Sequence, residues 1–145
     1  MRNDHQAALE NALKKLASSD KTVSEVRLLL ADFAIEEIDQ CIEVLVECNL
    51  VDDDRLAKNL AERSDGRRAI GIRSLAEKLH NRGIDPVIVE NIITSRVSTE
   101  TSRARKLLQA KFPDGATSAK AARYLWSRGV EESTIDSLLE NHDSE

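Results

Sequence analysis

Apolar residues along this chain recur three and four apart, and no stretch alternates apolar and polar over the length of a strand, so the pattern predicts helices and no sheet. Ala8, Leu9, Ala12, Leu13 and Leu16 form the stripe of a first helix that ends near residues 18–20. Thr22 and Glu25 stand at capping-box spacing: the hydroxyl can accept from the amide three residues on while the carboxylate reaches back to the cap. That start predicts a short second helix through Val26, Leu29 and Leu30. A third is predicted over 36–48, with Ile38, Cys41, Ile42 and Leu45 inward.

Asp52 or Asp53 caps the next helix, since a carboxylate there satisfies free amides and faces the positive end of the macrodipole. Leu56, Ala57, Leu60 and Ala61 bury one side of it. Residues 64–69 make a charged turn, and Gly71 precedes a helix with Leu75 and Leu79 inward. Gly83 suits the left-handed position that ends this helix. Asp85-Pro86 then supplies a cap followed by proline at the first helical position, where its missing N–H costs nothing. Ile88, Val89, Ile92 and Ile93 form the buried face beyond it. Three more helices are predicted over 101–111, from Thr117 or Ser118 to 127, and over 132–140, with Pro113-Asp114-Gly115 breaking the chain after the first.

The pattern also repeats. Leu79, Arg82, Gly83, Ile84, Asp85, Val89, Ile92 and Ile93 recur 46 positions later as Leu125, Arg128, Gly129, Val130, Glu131, Ile135, Leu138 and Leu139. A fixed period of this size marks an array whose units bury their apolar faces against neighbours. A fainter copy lies upstream, with Leu28, Phe33, Ile38 and Ile42 in the places of Leu79, Ile84, Val89 and Ile93. There Asp32 replaces the glycine, so the first copy must leave its helix differently. The expectation is an all-α fold: an elongated, curved array of three tandem three-helix repeats over 1–51, 52–97 and 98–145.

Composition restricts the function. Aromatic residues make up 3% of the 145, so Leu, Ile, Val and Ala must fill the interior. No apolar run is long enough to cross a bilayer, and residues 1–16 are mixed rather than leader-like, so a cytoplasmic protein without membrane contact is expected. Cys41 and Cys48 lack the spacing and companions of a zinc site and read as small apolar residues. The net charge of −5 hides an alternation: −8 over 1–54, +5 over 55–82, −2 over 83–102, +6 over 103–128 and −6 over 129–145. Basic strips between acidic faces suit a nucleic acid or a mixed-charge filament, while the overall acidity argues against strong non-specific DNA binding.

The segment Asn49-Leu50-Val51-Asp52-Asp53-Asp54-Arg55-Leu56-Ala57 resembles the Asp-Asp-x-Arg signature of the RecX family of recombinase regulators. Gly71-Ile72-Arg73, followed by Leu79, Asn81, Arg82, Gly83 and Ile84, resembles that family's spaced glycine and basic pattern. The likeness continues upstream at Ser24-Glu25-Val26-Arg27 and downstream at Arg123-Tyr124-Leu125 and Ser127-Arg128-Gly129-Val130, covering roughly 8–140. Asp52, Asp53, Arg55, Gly71 and Gly83 are the positions that match its signature. The departures are Leu56 and Leu60 for aromatics, Asn49 for a glycine and Ile72 for a proline, with Ser74 and Ala76 where basic residues are frequent. The resemblance implies tandem three-helix architecture and a protein lying in the groove of a RecA-type recombinase–DNA filament and restraining its activity. The residues alone leave two alternatives, a DNA-binding module built from the basic helices and a helical adaptor, each without a recombinase partner; no cofactor, a monomer, and DNA contact through the filament or weakly direct are expected.

Arg67, Arg68, Arg73, Lys78 and Arg82 in the first basic block, and Arg103, Arg105, Lys106, Lys111, Arg123 and Arg128 in the second, are the candidate filament or DNA contacts. Solvation of helix surfaces is the competing account. Capping alone accounts for Asp52 and Asp53, and Arg55 is placed to pair with one of them across the first turn. Trp126 is expected to cover the rim of the third core, with a partner-binding anchor as the alternative. His5, His80 and His142 are scattered, no nucleophile or phosphate-loop motif occurs, and acidic runs such as Glu36-Glu37 lack calcium-loop spacing, so neither catalysis nor a metal is expected.

Overall fold

The computed structural model describes residues 4–143, and all of their regular structure is helical. Nine α-helices follow one another among the described residues: α1 Asp4–Ser18, α2 Val23–Leu29, α3 Ile35–Glu47, α4 Asp53–Arg63, α5 Ile72–Asn81, α6 Pro86–Arg96, α7 Glu100–Lys111, α8 Ser118–Ser127 and α9 Glu132–Asp143. Single 3₁₀ turns at Gly66–Arg68 and Val97–Thr99 join α4 to α5 and α6 to α7.

Local chemistry sets these boundaries. Glu25 N donates to Thr22 Oγ1 at 3.1 Å and Thr22 N to Glu25 Oε1 at 2.9 Å, which completes the capping box of α2. Of the two candidate aspartates, Asp52 caps α4, accepting from Arg55 N at 3.0 Å. Asp85 accepts from Val87 N at 2.8 Å with Pro86 opening α6, and Thr117 caps α8. Asn49 has φ +60°, a left-handed conformation that asparagine tolerates better than most residues. Its carbonyl accepts from Arg55 Nη2 at 3.0 Å. The Arg55 guanidinium therefore serves this turn and not an ion pair with the capping acids.

Helices pack mainly within three consecutive sets, α1–α3, α4–α6 and α7–α9, and each set encloses an apolar cluster. The first holds Ala8, Ala12, Val26, Leu30, Cys41 and Leu45; the second Leu56, Ala57, Leu75, Leu79, Ile84 and Ile92; the third Ala104, Leu107, Leu125, Val130, Ile135 and Leu138. Ala69, from the turn before α5, belongs to the third cluster and crosses from one set to the next.

Two expectations need correction. Leu28 does not occupy the place of Leu79: it is 76% exposed, and Leu30, fully buried, takes that place. The cause is the helix exit. α2 is capped by Leu30 at φ −101° and the chain turns without a left-handed residue, whereas the longer α5 is capped by Arg82 and leaves through Gly83 at φ +76°. A single offset along the sequence cannot span a turn of different length. Cys48, read as a small apolar residue like Cys41, is exposed at the end of α3, while Cys41 lies in the first core, where burial pushes its thiol pKa up.

Candidate functional site

The candidate basic residues divide into those spent on joints between helix sets and those left facing solvent. The first joint forms where α2 begins. Val23 N donates to Asp53 Oδ1 at 2.9 Å, so Asp53 ties the start of α4 to α2. Thr22 Oγ1 donates to Arg82 O at 2.8 Å and Ser24 Oγ to Gly83 O at 3.0 Å. The Arg82 guanidinium returns across the gap to Glu25, with Nη2 to Oε1 at 2.8 Å and Nε to Oε2 at 3.2 Å, and to Asp20 O at 3.1 Å. This two-point contact with a carboxylate is geometrically specific in a way that a single lysine contact is not.

These contacts move the carboxylates in opposite directions. Burial alone would raise Glu25, but hydrogen bonds from Arg82 and Thr22 outweigh it and hold the pKa below the ordinary value. Asp53 goes up: burial and the neighbouring charges of Asp52 and Glu25 outweigh the Val23 amide and the more distant Arg82.

The second joint repeats the plan where α5 begins. Gly71 N donates to Arg128 O at 2.7 Å and Arg73 N to Gly129 O at 3.0 Å. The Arg128 guanidinium holds Ala69 O, with Nε at 3.1 Å. Arg73 donates to Trp126 O, and its guanidinium lies 3.8 Å over the Trp126 ring. Ile72 N donates to Glu100 Oε2 at 2.9 Å, as Val23 N does to Asp53 in the first joint. Gly129 is required by conformation, at φ +84°, and by proximity, whereas Gly71 has an ordinary φ of −74° and is required by proximity alone. A Cβ on Gly71 would lie 2.3 Å from Gly129 O.

Beneath this joint lies an ionic cluster in which Arg96, Glu100 and Arg103 are buried and Asp65 is exposed. Glu100, 1% exposed, accepts from Arg103 Nη1 at 2.6 Å; Asp65 accepts from Arg103 Nε at 2.9 Å and from Arg96 Nη2 at 3.0 Å. Burial would raise Asp65, but hydrogen bonds from the two arginines prevail and hold it below the ordinary carboxylate range. Two acids match two bases, so this floor is electrically satisfied and has no unspent charge for an outside anion. A groove of about 600 Å³ opens above it, with Lys58 and Lys106 on its rim. Lys58 is paired with Asp54 at 2.9 Å.

Arg82, Arg103 and Arg128 were expected at a partner surface, and the structure turns them into the joints: Arg103 is buried and the other two are half-buried against backbone carbonyls and Glu25. Arg73 is committed to Trp126, which is 50% exposed and thus borders the joint without sealing the third core. Arg68, Lys78, Arg105, Lys106, Lys111 and Arg123 are exposed on α5, α7, α8 and the turn before α5. Arg67 lies in that same turn, with its side chain outside the described residues. Sequence reasoning missed Asp20, Asp65 and Arg96, whose partners are distant in sequence, and Glu100, which joins nearby Arg103 to the distant Ile72 amide. It also noted Ser24 for its likeness alone and missed its hydrogen bond to Gly83 O in the first joint.

Among the described residues, no helix is long and apolar enough to cross a membrane, and no group of His, Cys, Asp or Glu could hold a metal ion. No protein-family model matches the chain. Three curated relatives are each named regulatory protein RecX. That of Trichlorobacter lovleyi is 30% identical over 142 residues, spanning 89% of this chain and 91% of the relative. That of Herminiimonas arsenicoxydans is 27% identical over 134 residues, 88% of this chain and 87% of the relative. That of Lactococcus lactis is 31% identical over 87 residues, 58% of this chain but 32% of the longer relative. The crystal structure of RecX from Lactobacillus salivarius superposes with a TM-score of 0.77 at 22% identity, covering 98% of both chains. A second crystal structure of regulatory protein RecX gives 0.76 at 18%, covering 94% of this chain and 73% of the other. Identity along nearly the whole of both sequences and a shared all-helical fold give one conclusion: the chain belongs to the RecX family of regulatory proteins.

Proposed function

We propose that this protein regulates homologous recombination by binding the filament that a RecA-type recombinase forms on DNA, and that it restrains the filament's ATPase and strand exchange. It acts without catalysis of its own, as a cytoplasmic monomer, and meets DNA through the filament or weakly by direct contact. The observation that carries this reading, beside family membership, is the division of labour among the basic residues. Each joint has its own arginines, and a further set, Arg68, Lys78, Arg105, Lys106, Lys111 and Arg123, remains exposed across the second and third helix sets. Three units divided near Val51/Asp52 and Val97/Ser98 would form a curved array that touches several protomers at once, gaining avidity from individually weak contacts.

The test is co-sedimentation with recombinase filaments beside DNA-only and recombinase-only controls. Changing Arg68, Lys78, Arg105, Lys106 and Arg123 together to Glu is expected to abolish pelleting and ATPase inhibition with helicity intact, since each surface charge alters stability by less than about 0.5 kcal/mol. Unchanged inhibition at moderate salt would overturn the basic-surface reading. Equal, steeply salt-dependent binding to bare DNA would replace the filament with DNA as the target.

A further inference from the structure

The first helix set ends in an apolar tip that the fold does not require. Among the described residues, the two most exposed large apolar side chains are Leu28 at 76% and Ile35 at 71%, at either end of the turn from α2 to α3. The repeat supplies an internal comparison. Leu30 of the first set answers to Leu79 and Leu125 in the others, so Leu28 answers to Glu77 and Arg123, both exposed. Ile35 opens α3 where Pro86 opens α6 and Glu132 opens α9, again both exposed. The same two places thus carry charge or proline in the second and third sets, and neither position packs the fold. Leu28 and Ile35 therefore add nothing to the core, and both stand in water at the two ends of one turn, open to burial against a partner.

The surroundings say what kind of surface that is. Asp32 and Glu36 are exposed beside the pair and join no ion pair among the described residues, while the nearby Arg27 is neutralised by Asp39 at 2.9 Å. Residues 1–54 carry a net −8, which repels phosphate. We infer that the α2–α3 tip is a protein-docking surface, in which Leu28 and Ile35 enter an apolar depression ringed by lysine or arginine on the protein component of the filament. This rests on the filament reading and extends it: the basic residues of the second and third sets face one part of the target, and the acidic, apolar tip of the first faces another. An apolar centre within a charged rim is the usual anatomy of a specific protein contact.

The test compares the full chain with a Leu28→Gln/Ile35→Gln variant, which removes the apolar pair without changing net charge at places where the other sets carry charge or proline. Unchanged circular dichroism and melting, unchanged weak binding to bare DNA, and filament affinity reduced about tenfold or more are expected. An Asp32→Lys/Glu36→Lys variant should also weaken pelleting, most at low salt. If wild type pellets with filaments and the Gln variant pellets equally well, the docking surface is wrong and the filament reading stands. If wild type does not pellet, both fall. A wild-type dimer in sedimentation that the Gln variant dissociates, with filament affinity unchanged, would assign the tip to a second copy of this chain and overturn the proposal.

Discussion

Arg82 and Arg128, 46 residues apart and in the same place of two repeats, each reach back to the helix set before their own: Arg82 holds Glu25 at 2.8 Å and Arg128 holds Ala69 O at 3.1 Å. What repeats along this chain is therefore a joint as much as a helix pattern. The arginine-glycine pair ends a helix, and at the same point the arginine carbonyl accepts from the preceding set while the glycine lets it approach. Fixing the angle between sets in this way matters to any protein that must fit along a periodic partner.

The two glycines of these joints predict different mutational behaviour. Gly83→Ala should destabilise by about 2 kcal/mol, because φ is +76° and the new Cβ would lie 2.5 Å from Ser24 Cβ. A Ser24→Gly background removes that collision and should recover part of the loss. Gly129→Ala meets not only the Ser74 side chain but also Ser74 N at 2.6 Å, so Ser74→Gly should recover little. Urea denaturation of the four variants measures the difference; equal recovery in both pairs would refute the assignment of the second collision to backbone.

Acid titration should separate the carboxylates by sign. Glu25 and Asp65 sit below their unfolded values, so their contribution is complete above the ordinary carboxylate range and is lost as pH falls through the folded values. Asp53 is raised, so its contribution is present in acid and lost as pH rises through the folded value. Asp65→Asn is expected to lower stability at pH 7 and to flatten its fall in acid. Asp53→Asn, which keeps an oxygen for the Val23 amide, should leave the protein at least as stable as the parent at pH 7. Thermal melts from pH 3 to 7 decide this, and a loss at pH 7 for Asp53→Asn would contradict the raised value.

Helix ends were legible in the sequence because their causes are local. Thr22 with Glu25, Asp85 with Pro86, and Gly83 each act within a few residues, and each stands where the spacing placed it. The joints were not legible, because Arg82 finds Glu25 across 57 residues and Arg103 finds Asp65 across 38. On an exposed helix an arginine that ends a repeat looks the same whether it meets phosphate, water or a carbonyl of the neighbouring set. The misplacement of Leu28 has a different origin: one offset was carried through a turn whose length differs between copies, and the error left an interaction candidate disguised as core.

The ionic cluster beneath the second joint should be the costliest place to remove a charge. Glu100→Ala deprives Arg103 of its closest partner and Ile72 N of its acceptor at once, with Arg103 only 6% exposed. A loss of about 3 kcal/mol is expected in urea denaturation, since one member of a buried pair is left without compensation. Lys58→Ala, which breaks only the exposed pair with Asp54, should cost less than about 0.5 kcal/mol. Similar costs for the two would mean that the cluster is open to water.

Trp126, the only tryptophan in the chain, lies within the second joint and makes it optically visible. Arg73 holds its guanidinium 3.8 Å above the ring and bonds the Trp126 carbonyl, so Arg73→Leu should change the emission of the native protein and cost about 1 kcal/mol. Salt separates this contact from a surface one: a stacked, partly buried guanidinium is poorly screened, so emission should hold steady as ionic strength rises, whereas the proposed filament binding through exposed lysines and arginines should weaken. Native emission that is unchanged by Arg73→Leu would place the guanidinium away from the ring in solution. Arg73 would then return to the residues available for a partner, and the side chains of the second joint would be those of Arg128 and Glu100.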